Sequence, residues 1–186
     1  MGNETNIGNE ANGTPGRVIV DGRIVDNQWR RFSAEQLETD ALPEQGAVIV
    51  PLAYWLANRD ALLARADAVG VCLEPGEEPA DLADDLPRLE LVAIHFPAFK
   101  DGRGYSYARE LRTRYRFAGE VRAVGDVLQD QLFYMHRVGF NAFEVRADRD
   151  IEEALENGLR PFTITYQGDV HDPRPVYLRR DDSQGA

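Results

Sequence analysis

Apolar and polar residues form two alternating patterns along this chain. From residue 46 onward, short runs of apolar and β-branched residues alternate with segments whose apolar residues recur at helical spacing. Strands that alternate with helices predict a mainly parallel sheet with right-handed crossovers. The runs that predict strands are residues 47–52, 69–74, 89–96, 120–125, 142–146 and 162–167. The segments that predict helices are residues 55–66, 79–86, 105–115, 127–138 and 150–158.

The residues before this alternating region predict a β-hairpin. Two β-branched runs within residues 17–29 flank Asp21 and Gly22, and both of these residue types tolerate the positive φ angles of a two-residue turn. Residues 31–45 are polar and are expected to form a connection with room for one short helical turn. At the other end, Gly158 is expected to stop the last helix, since glycine is favoured just past a helix C-terminus.

The ends of the chain differ from its middle. Residues 1–16 are rich in Asn and Gly, have almost no apolar side chains to bury, and are predicted to be disordered. Residues 17–168 are expected to form a single α/β domain, and residues 169–186 a Pro-rich, charged tail.

Within the strands, one side is apolar and the other is small or polar. In residues 142–146, Phe143 and Val145 share one side while Glu144 and Arg146 share the other. A sheet covered by helices on both faces would need strands that are apolar throughout. The alternation therefore favours an incomplete TIM-barrel-like sheet of five to six βα units, edged by the N-terminal hairpin. An open flavodoxin-like sheet is the alternative.

Composition narrows the classes of function. The formal net charge of −11 argues against binding to nucleic acid or to an anionic membrane surface, which both need a basic face. No apolar run approaches the roughly 20 residues of a membrane helix, and no secretory signal is evident. The single cysteine, Cys72, cannot form an intrachain disulfide, and this suits a cytoplasmic location. Lys100 is the only lysine, so nearly all positive charge is arginine, which suits forked recognition of oxyanions.

Two loops predict a ligand-binding rim. The sequences KDGRGYS and GDVLQDQ each follow a predicted strand and open into a predicted helix, where strand ends and helix N-termini meet in parallel α/β proteins. The alternative is purely structural: Ser106 and Asp126 would cap the two helices. The candidate anion-binding residues are Lys100, Asp101, Arg103, Tyr105, Ser106, Arg109, Asp126, Gln129 and Asp130.

A second candidate group lies on the polar side of the strands. Its members are Cys72, Glu74, His95, Arg122, Glu144 and Arg146. These side chains suit either a proton-transfer or anion site, or an ionic layer that only fills the interior of a small barrel. Their spacing matches no metal-binding motif, so no metal is predicted, and no cofactor is evident in the sequence.

Two long stretches resemble a known family. DGRGYSYARELRTRY and GEVRAVGDVLQDQLFYMHRVGFNAFE closely resemble the bacterial family called domain of unknown function 934, and GAVIVPLAYW and TYQG resemble its edges, so the resemblance covers roughly residues 16–168. The resemblance implies a role beside sulfite reduction, because members are described as oxidoreductases of that process and their genes lie beside those of sirohaem sulfite or nitrite reductases. It brings no catalytic residues. The family's motif positions here are Asp101, Gly102, Arg103, Gly104, Tyr105, Ser106, Arg109, Arg112, Arg122, Gly125, Asp126, Asp130 and Gln131.

Three functions remain open from the sequence. The first is an accessory protein or small enzyme of assimilatory sulfate or sulfite reduction with an oxyanion-binding rim. The second is a non-catalytic adaptor that docks on a sulfite or nitrite reductase, and the third is a barrel-derived enzyme of unrelated chemistry. Electron transfer by this chain would need a bound cofactor or a partner, since one thiol cannot cycle to an internal disulfide. We therefore expect the purified protein to be colourless. The sequence leaves the oligomeric state open.

Overall fold

The computed structural model of the 186-residue chain describes residues 16–98, 101–159 and 168–174. The tail predicted over residues 1–16 lies outside this range except for Gly16, as do Lys100, the strand predicted over residues 162–167 and most of the C-terminal tail.

The N-terminal hairpin is confirmed. β1 (Arg17–Val20) pairs antiparallel with β2 (Arg23–Asp26). The two turn residues have positive φ angles, +48° at Asp21 and +71° at Gly22. This is the backbone of a type I′ turn, which matches the twist of the flanking strands.

Among the described residues, eight strands form one curled, open, mixed sheet in the order β2–β1–β8–β7–β6–β5–β4–β3, a half-barrel in shape. β1 lies antiparallel to β8, and the strands from β8 to β3 run parallel to one another. The bounds of the strands after the hairpin are β3 (Trp29–Arg31), β4 (Ala47–Pro51), β5 (Val69–Leu73), β6 (Leu91–Phe96), β7 (Glu120–Gly125) and β8 (Ala142–Phe143).

Two strands differ from the prediction. β3 was expected to be the end of the hairpin and the start of a polar connection, but it pairs with β4 at the far edge of the sheet. Its three residues are too few to show an alternating pattern. β8 ends at Phe143, so the predicted strand over residues 142–146 is shorter in the structure.

The helices lie in the connections between strands, as predicted, with some differences in type. The expected acidic helix over residues 79–86 is replaced by two 3₁₀ turns, each with a proline in its first two positions. Gly158 does not end its helix but lies inside a π-helical segment, with the Gln129 carbonyl where its Cβ would be. The α-helices are α1 (Ala34–Thr39), α2 (Leu52–Leu63), α3 (Arg103–Thr113), α4 (Leu132–Val138) and α5 (Ile151–Glu153). The 3₁₀ turns are Pro79–Leu82, Leu86–Arg88 and Gln129–Gln131, and the π-helical segment is Ala154–Leu159.

The two faces of the sheet have different cores. The outward-facing residues of the strands pack with the buried residues of the helices into one large cluster. The concave face holds a second, smaller cluster of Ile49, Cys72, Leu91, Ala93 and Val124, with Trp29 against it. This separation agrees with the alternation in the sequence and not with a sheet covered by helices on both faces. No helix among the described residues is long and apolar enough to cross a membrane.

Candidate functional site

The carboxyl ends of the neighbouring parallel strands β5, β6 and β7 carry Glu74, His95 and Gly125, and this edge of the sheet is called the mouth below. Glu74 directly follows β5, and His95 lies near the end of the neighbouring strand β6. His95 Nδ1 is 2.6 Å from Glu74 Oε2, and the two side chains are 27% and 51% exposed. A histidine held by a carboxylate and still open to solvent can exchange protons with a bound molecule.

The His95 ring is also positioned by the backbone of β7. Gly125 has a φ of +94°, and a Cβ added to it would lie 2.6 Å from Cδ2 and 2.8 Å from Nε2 of His95. Any larger residue would push the ring away. When Nδ1 donates its proton to Glu74, Nε2 is the acceptor, and it makes no hydrogen bond to any described residue. The arrangement thus fixes a proton acceptor at the mouth.

Cys72 lies below this pair on the concave face and is buried. Burial raises the pKa of its thiol, although the charge of Arg31 acts in the opposite direction. The thiol is therefore protonated at neutral pH, which makes Cys72 a poor nucleophile and a packing residue in this state.

A buried ionic layer crosses the concave face. Arg122 of β7 and Glu144 are only 1% and 3% exposed, and Arg122 Nη1 is 3.4 Å from Glu144 Oε1. Arg122 also donates Nε to Glu120 and Nη1 to the Asn27 side chain at 2.9 Å. Arg31 approaches Glu144 from β3, with Nη2 3.4 Å from Oε2. Residues from opposite edges of the sheet thus meet here, because the sheet is curled.

Arg146, which the sequence placed with this layer, lies beyond the end of β8 at the rim. Its guanidinium donates to Asp126 at 2.8 Å and to Asp148 at 2.9 and 2.8 Å, and its side chain is 40% exposed. Asp126 therefore holds an arginine, and the N-cap of the 3₁₀ turn that opens the next helix is Leu128, whose backbone N–H donates to Gln131 Oε1 at 3.4 Å.

The rim loop after β6 has a charge pair of its own. Asp101 accepts hydrogen bonds from the Arg103 backbone N–H at 3.2 Å and from Arg103 Nε and Nη2 at 3.0 and 2.6 Å. These bonds lower the pKa of the Asp101 carboxyl. The arginine that was expected to attract an anion already holds a carboxylate. α3 begins at Arg103, so Ser106 lies within the helix and does not cap it.

The other predicted rim residues are spread over the outside of the rim. The Tyr105 ring packs against Phe96 and Tyr134, with centroids 5.5 and 5.2 Å away. Arg109 is exposed on α3. Gln129 and Asp130 line a shallow depression of about 340 Å³ beside α5.

Sequence reasoning missed three contributors to the concave face. Arg31 and Asn27 lie on or beside β3, which has no alternating pattern to reveal its inner side. Gly125 was noted at the end of a predicted strand and among the family's motif positions but not as a site residue, although its position beside His95 requires both glycine's positive φ and its missing side chain. The described residues contain no group of three or more His, Cys, Asp or Glu side chains placed to hold a metal ion.

Comparison with known proteins gives one match. A family model described as "Bacterial protein of unknown function (DUF934)" matches residues 70–177, which is more than half of the chain. No curated protein and no solved structure matches the chain. The matched range contains Glu74, His95 and Gly125, so the mouth falls inside the region that the chain shares with this family.

Proposed function

The chain belongs to the bacterial family of unknown function DUF934, and we propose that it is a small accessory enzyme of sulfite or sulfate reduction. In this proposal an oxyanion binds at the mouth of the sheet, and His95 exchanges a proton with it. The observation that carries the proposal is the 2.6 Å contact between His95 Nδ1 and Glu74 Oε2, which makes Nε2 the acceptor when Nδ1 carries the proton.

The geometry suits proton transfer because the ring is oriented from two sides. Glu74 contacts Nδ1, and the missing side chain of Gly125 lets the ring lie close to the backbone of β7. A carboxylate in this position fixes the imidazole tautomer and stabilises the ring when it takes up a proton. Imidazole is the side chain that most readily changes its charge near neutral pH.

The class of ligand is proposed from the charges around the mouth and from the family resemblance. Arg31, Arg103 and Arg146 surround the concave face and its rim, and each is paired with a carboxylate of this chain. An incoming oxyanion can compete for the exposed pairs, because they are held in water and are weak. The association with sulfite comes only from the family resemblance.

We also propose that the fold is an incomplete TIM-type barrel. In such barrels ligands bind at the carboxyl ends of the strands, where Glu74 and His95 lie. The chain's own contribution is then binding and proton transfer. Any electrons would come from a partner reductase, since the one thiol, Cys72, is buried.

A complementation experiment tests the proposal. The gene is deleted in its own bacterium, and growth is compared on sulfate and on cysteine as sole sulfur sources. We expect slow growth on sulfate alone, restored by the wild-type gene but not by His95→Gln or Glu74→Gln. His171→Gln is the matched control, because His171 is an exposed histidine on another part of the chain.

Two results would contradict the proposal in different ways. Normal growth of the deletion strain on sulfate would remove the link to sulfur reduction. Full rescue by His95→Gln would remove the proton-transfer role, and co-purification of that variant with the reductase would then favour the adaptor. Both conclusions require that the melting temperature of purified His95→Gln equals that of the wild type.

A further inference from the structure

A cavity of about 570 Å³ lies between the N-terminal hairpin and the concave face of the sheet. Trp29 and Glu120, the first residues of β3 and β7, line it, whereas His95 lies near the opposite end of β6. Its volume is in the range of ordinary small-molecule sites. The cavity is thus distinct from the mouth.

The pairing of the hairpin decides which of its side chains face this cavity. Directly paired residues have their side chains on the same side of a sheet, and neighbours along a strand have them on opposite sides. Ile19 packs in the core that the sheet shares with the helices, so Val18 and Val20 lie on the concave side. Their partners in β2 are Val25 and Arg23, which therefore lie on the same side. All four of these concave residues line the cavity.

The three carboxylates around the cavity are engaged or point elsewhere. Glu120 accepts a hydrogen bond from Nε of the buried Arg122 at 2.5 Å. Asp21 accepts one from the Asn141 side chain at 3.0 Å. Asp26 follows an inward-facing residue of β2, so its side chain lies on the opposite side of the strand. None of the three therefore faces the cavity without a partner.

Arg23 is a positive group of the cavity that lacks such a partner. It is exposed, and it forms no hydrogen bond or ion pair with any residue that the structure describes. Arg122, the other arginine of the lining, is 1% exposed and holds two carboxylates, Glu120 and Glu144. The described lining thus presents one available guanidinium, a group that binds carboxylates in forked, charge-assisted pairs.

The apolar residues of the cavity come from both edges of the sheet. Val25 belongs to β2 and Trp29 to β3, the two outermost strands. Val25 is 40% exposed and is among the few large apolar side chains of the described structure that are left uncovered. An apolar group that enters the cavity would be removed from water together with these side chains, which favours binding.

We propose that the cavity between the hairpin and β3 binds a small carboxylate with an apolar or aromatic body. The ligand's carboxylate pairs with Arg23, and its body lies against Val25 and Trp29. Both parts are needed, because an ion pair at an exposed arginine is weak in water unless burial of the apolar body adds to it. This site is separate from the mouth and does not depend on the function proposed for His95.

Binding is measured on the purified full chain by tryptophan fluorescence and by thermal shift. The probe is 3-phenylpropanoate, compared with 3-phenylpropanamide, which lacks the charge, and with acetate and sulfate, which lack the apolar body. Of the two tryptophans, Trp55 is fully buried and hydrogen-bonded to Asp85, so Trp29 reports on the cavity. In the fluorescence titration we expect saturable binding of 3-phenylpropanoate, and binding of the other three weaker by at least about tenfold. In Trp29→Phe the fluorescence change should vanish while the thermal shift remains.

Two variants test the two parts of the site without changing the buried ionic layer. Arg23→Gln should weaken the binding of 3-phenylpropanoate at least about tenfold and leave the binding of the amide unchanged. Val25→Thr keeps the β-branched shape but loses apolar surface, so it should weaken both ligands alike. Arg88→Gln, which changes another exposed arginine, is the control and should alter neither.

Three results would overturn the proposal. The first is the absence of saturable binding of 3-phenylpropanoate. The second is equal affinity of the wild type for the acid and the amide. The third is equal binding of the acid by Arg23→Gln and Arg88→Gln.

Discussion

Arg122 and Arg103 are both arginines bonded to carboxylates of the same chain, but their surroundings are opposite. Arg122 lies in the ionic layer of the concave face and is 1% exposed, whereas Arg103 lies on the rim and is 57% exposed. Arg122 gathers groups from β7 and from the segments beside β3 and β8, while Arg103 bonds to a residue two positions away.

The difference shows that the contribution of an ion pair to stability depends on its surroundings. In the interior, two charges have been taken out of water, so removing one strands the other at a high cost. On the rim, water replaces the lost partner, and the pair adds little to stability. For the same reason a ligand can displace a rim pair but not a buried one. The ion pairs of the rim can therefore exchange partners, whereas the ionic layer has a structural role.

The largest expected effect comes from breaking the ionic layer. Arg122→Met should lower the free energy of unfolding by about 3–5 kcal/mol, because it leaves Glu144 buried beside a single arginine. Urea unfolding followed by circular dichroism measures the change. Arg122→Met/Glu144→Met should be more stable than Arg122→Met alone, since the carboxylate that Arg122→Met strands, at 3% exposure the most deeply buried of the partners, is then removed. A double variant less stable than the single would contradict this and show that Glu144 stabilises the fold through Arg31 alone.

A smaller effect is expected where a half-buried arginine, Arg112, binds only neutral oxygens. Arg112 donates Nε to the Gly139 carbonyl, Nη1 to the carbonyls of Phe117 and Gly119, and Nη2 to the Asn141 side chain. Arg112→Gln should cost about 1–3 kcal/mol of unfolding free energy, because several partly buried carbonyls lose their donor. Urea unfolding provides the measurement, with the exposed Arg114→Gln as control. Equal losses in both variants would contradict a structural role specific to Arg112.

The elements predicted correctly from the sequence are those that depend on residues close together in the chain. β7 has the predicted bounds, because the alternation in EVRAVG is unbroken between two turns. The hairpin was predictable from Asp21 and Gly22, whose preferences are local. β3 was missed because it depends on pairing with a distant strand. The helix over residues 150–158 was predicted, but its π-helical part was not, since that part depends on the close approach of Gly158 to Gln129.

The candidate site shows the same division. The alternation placed Cys72, Glu74, His95, Arg122 and Glu144 on the inner side of the strands, and the structure gathers them there. Which charges pair could not be read from the sequence, because pairing depends on how the sheet curls. The curl of the sheet places Arg31 beside Glu144. Because β8 ends at Phe143, Arg146 lies beyond the strand and pairs with Asp126.

The free energy of unfolding is also expected to depend on pH through His136, which lies in a half-buried region where residues 168–174 pack on α4. His136 stacks on His171 with ring centroids 4.3 Å apart, and Asp169, Asp21 and the Phe140 carbonyl act on it from other sides. Burial, followed by the charge of His171, lowers the pKa of His136. The folded state therefore holds this proton less firmly than the unfolded state.

The sign of the effect follows from linkage. The stability given by neutral His136 is complete above its unfolded pKa of about 6.5 and is lost as the pH falls through the lower folded pKa. Unfolding free energies of the wild type and His136→Gln, measured between about pH 8 and about pH 5, should therefore converge on the acidic side. A difference that stays constant over this range would contradict the shift.

The smallest effect on stability is expected at the rim. Arg103→Ala removes a guanidinium that is mostly in water and whose partner Asp101 becomes hydrated when it leaves, so the melting temperature should barely change. If the rim binds an oxyanion, the same change should weaken sulfite or sulfate binding by about tenfold, as measured by calorimetry. Arg88→Ala, another exposed arginine far from this loop along the chain, is the control and should alter neither quantity. Clear destabilisation by Arg103→Ala with unchanged anion binding would mean that this rim pair is scaffold too, and the contrast with Arg122 would then be one of degree only.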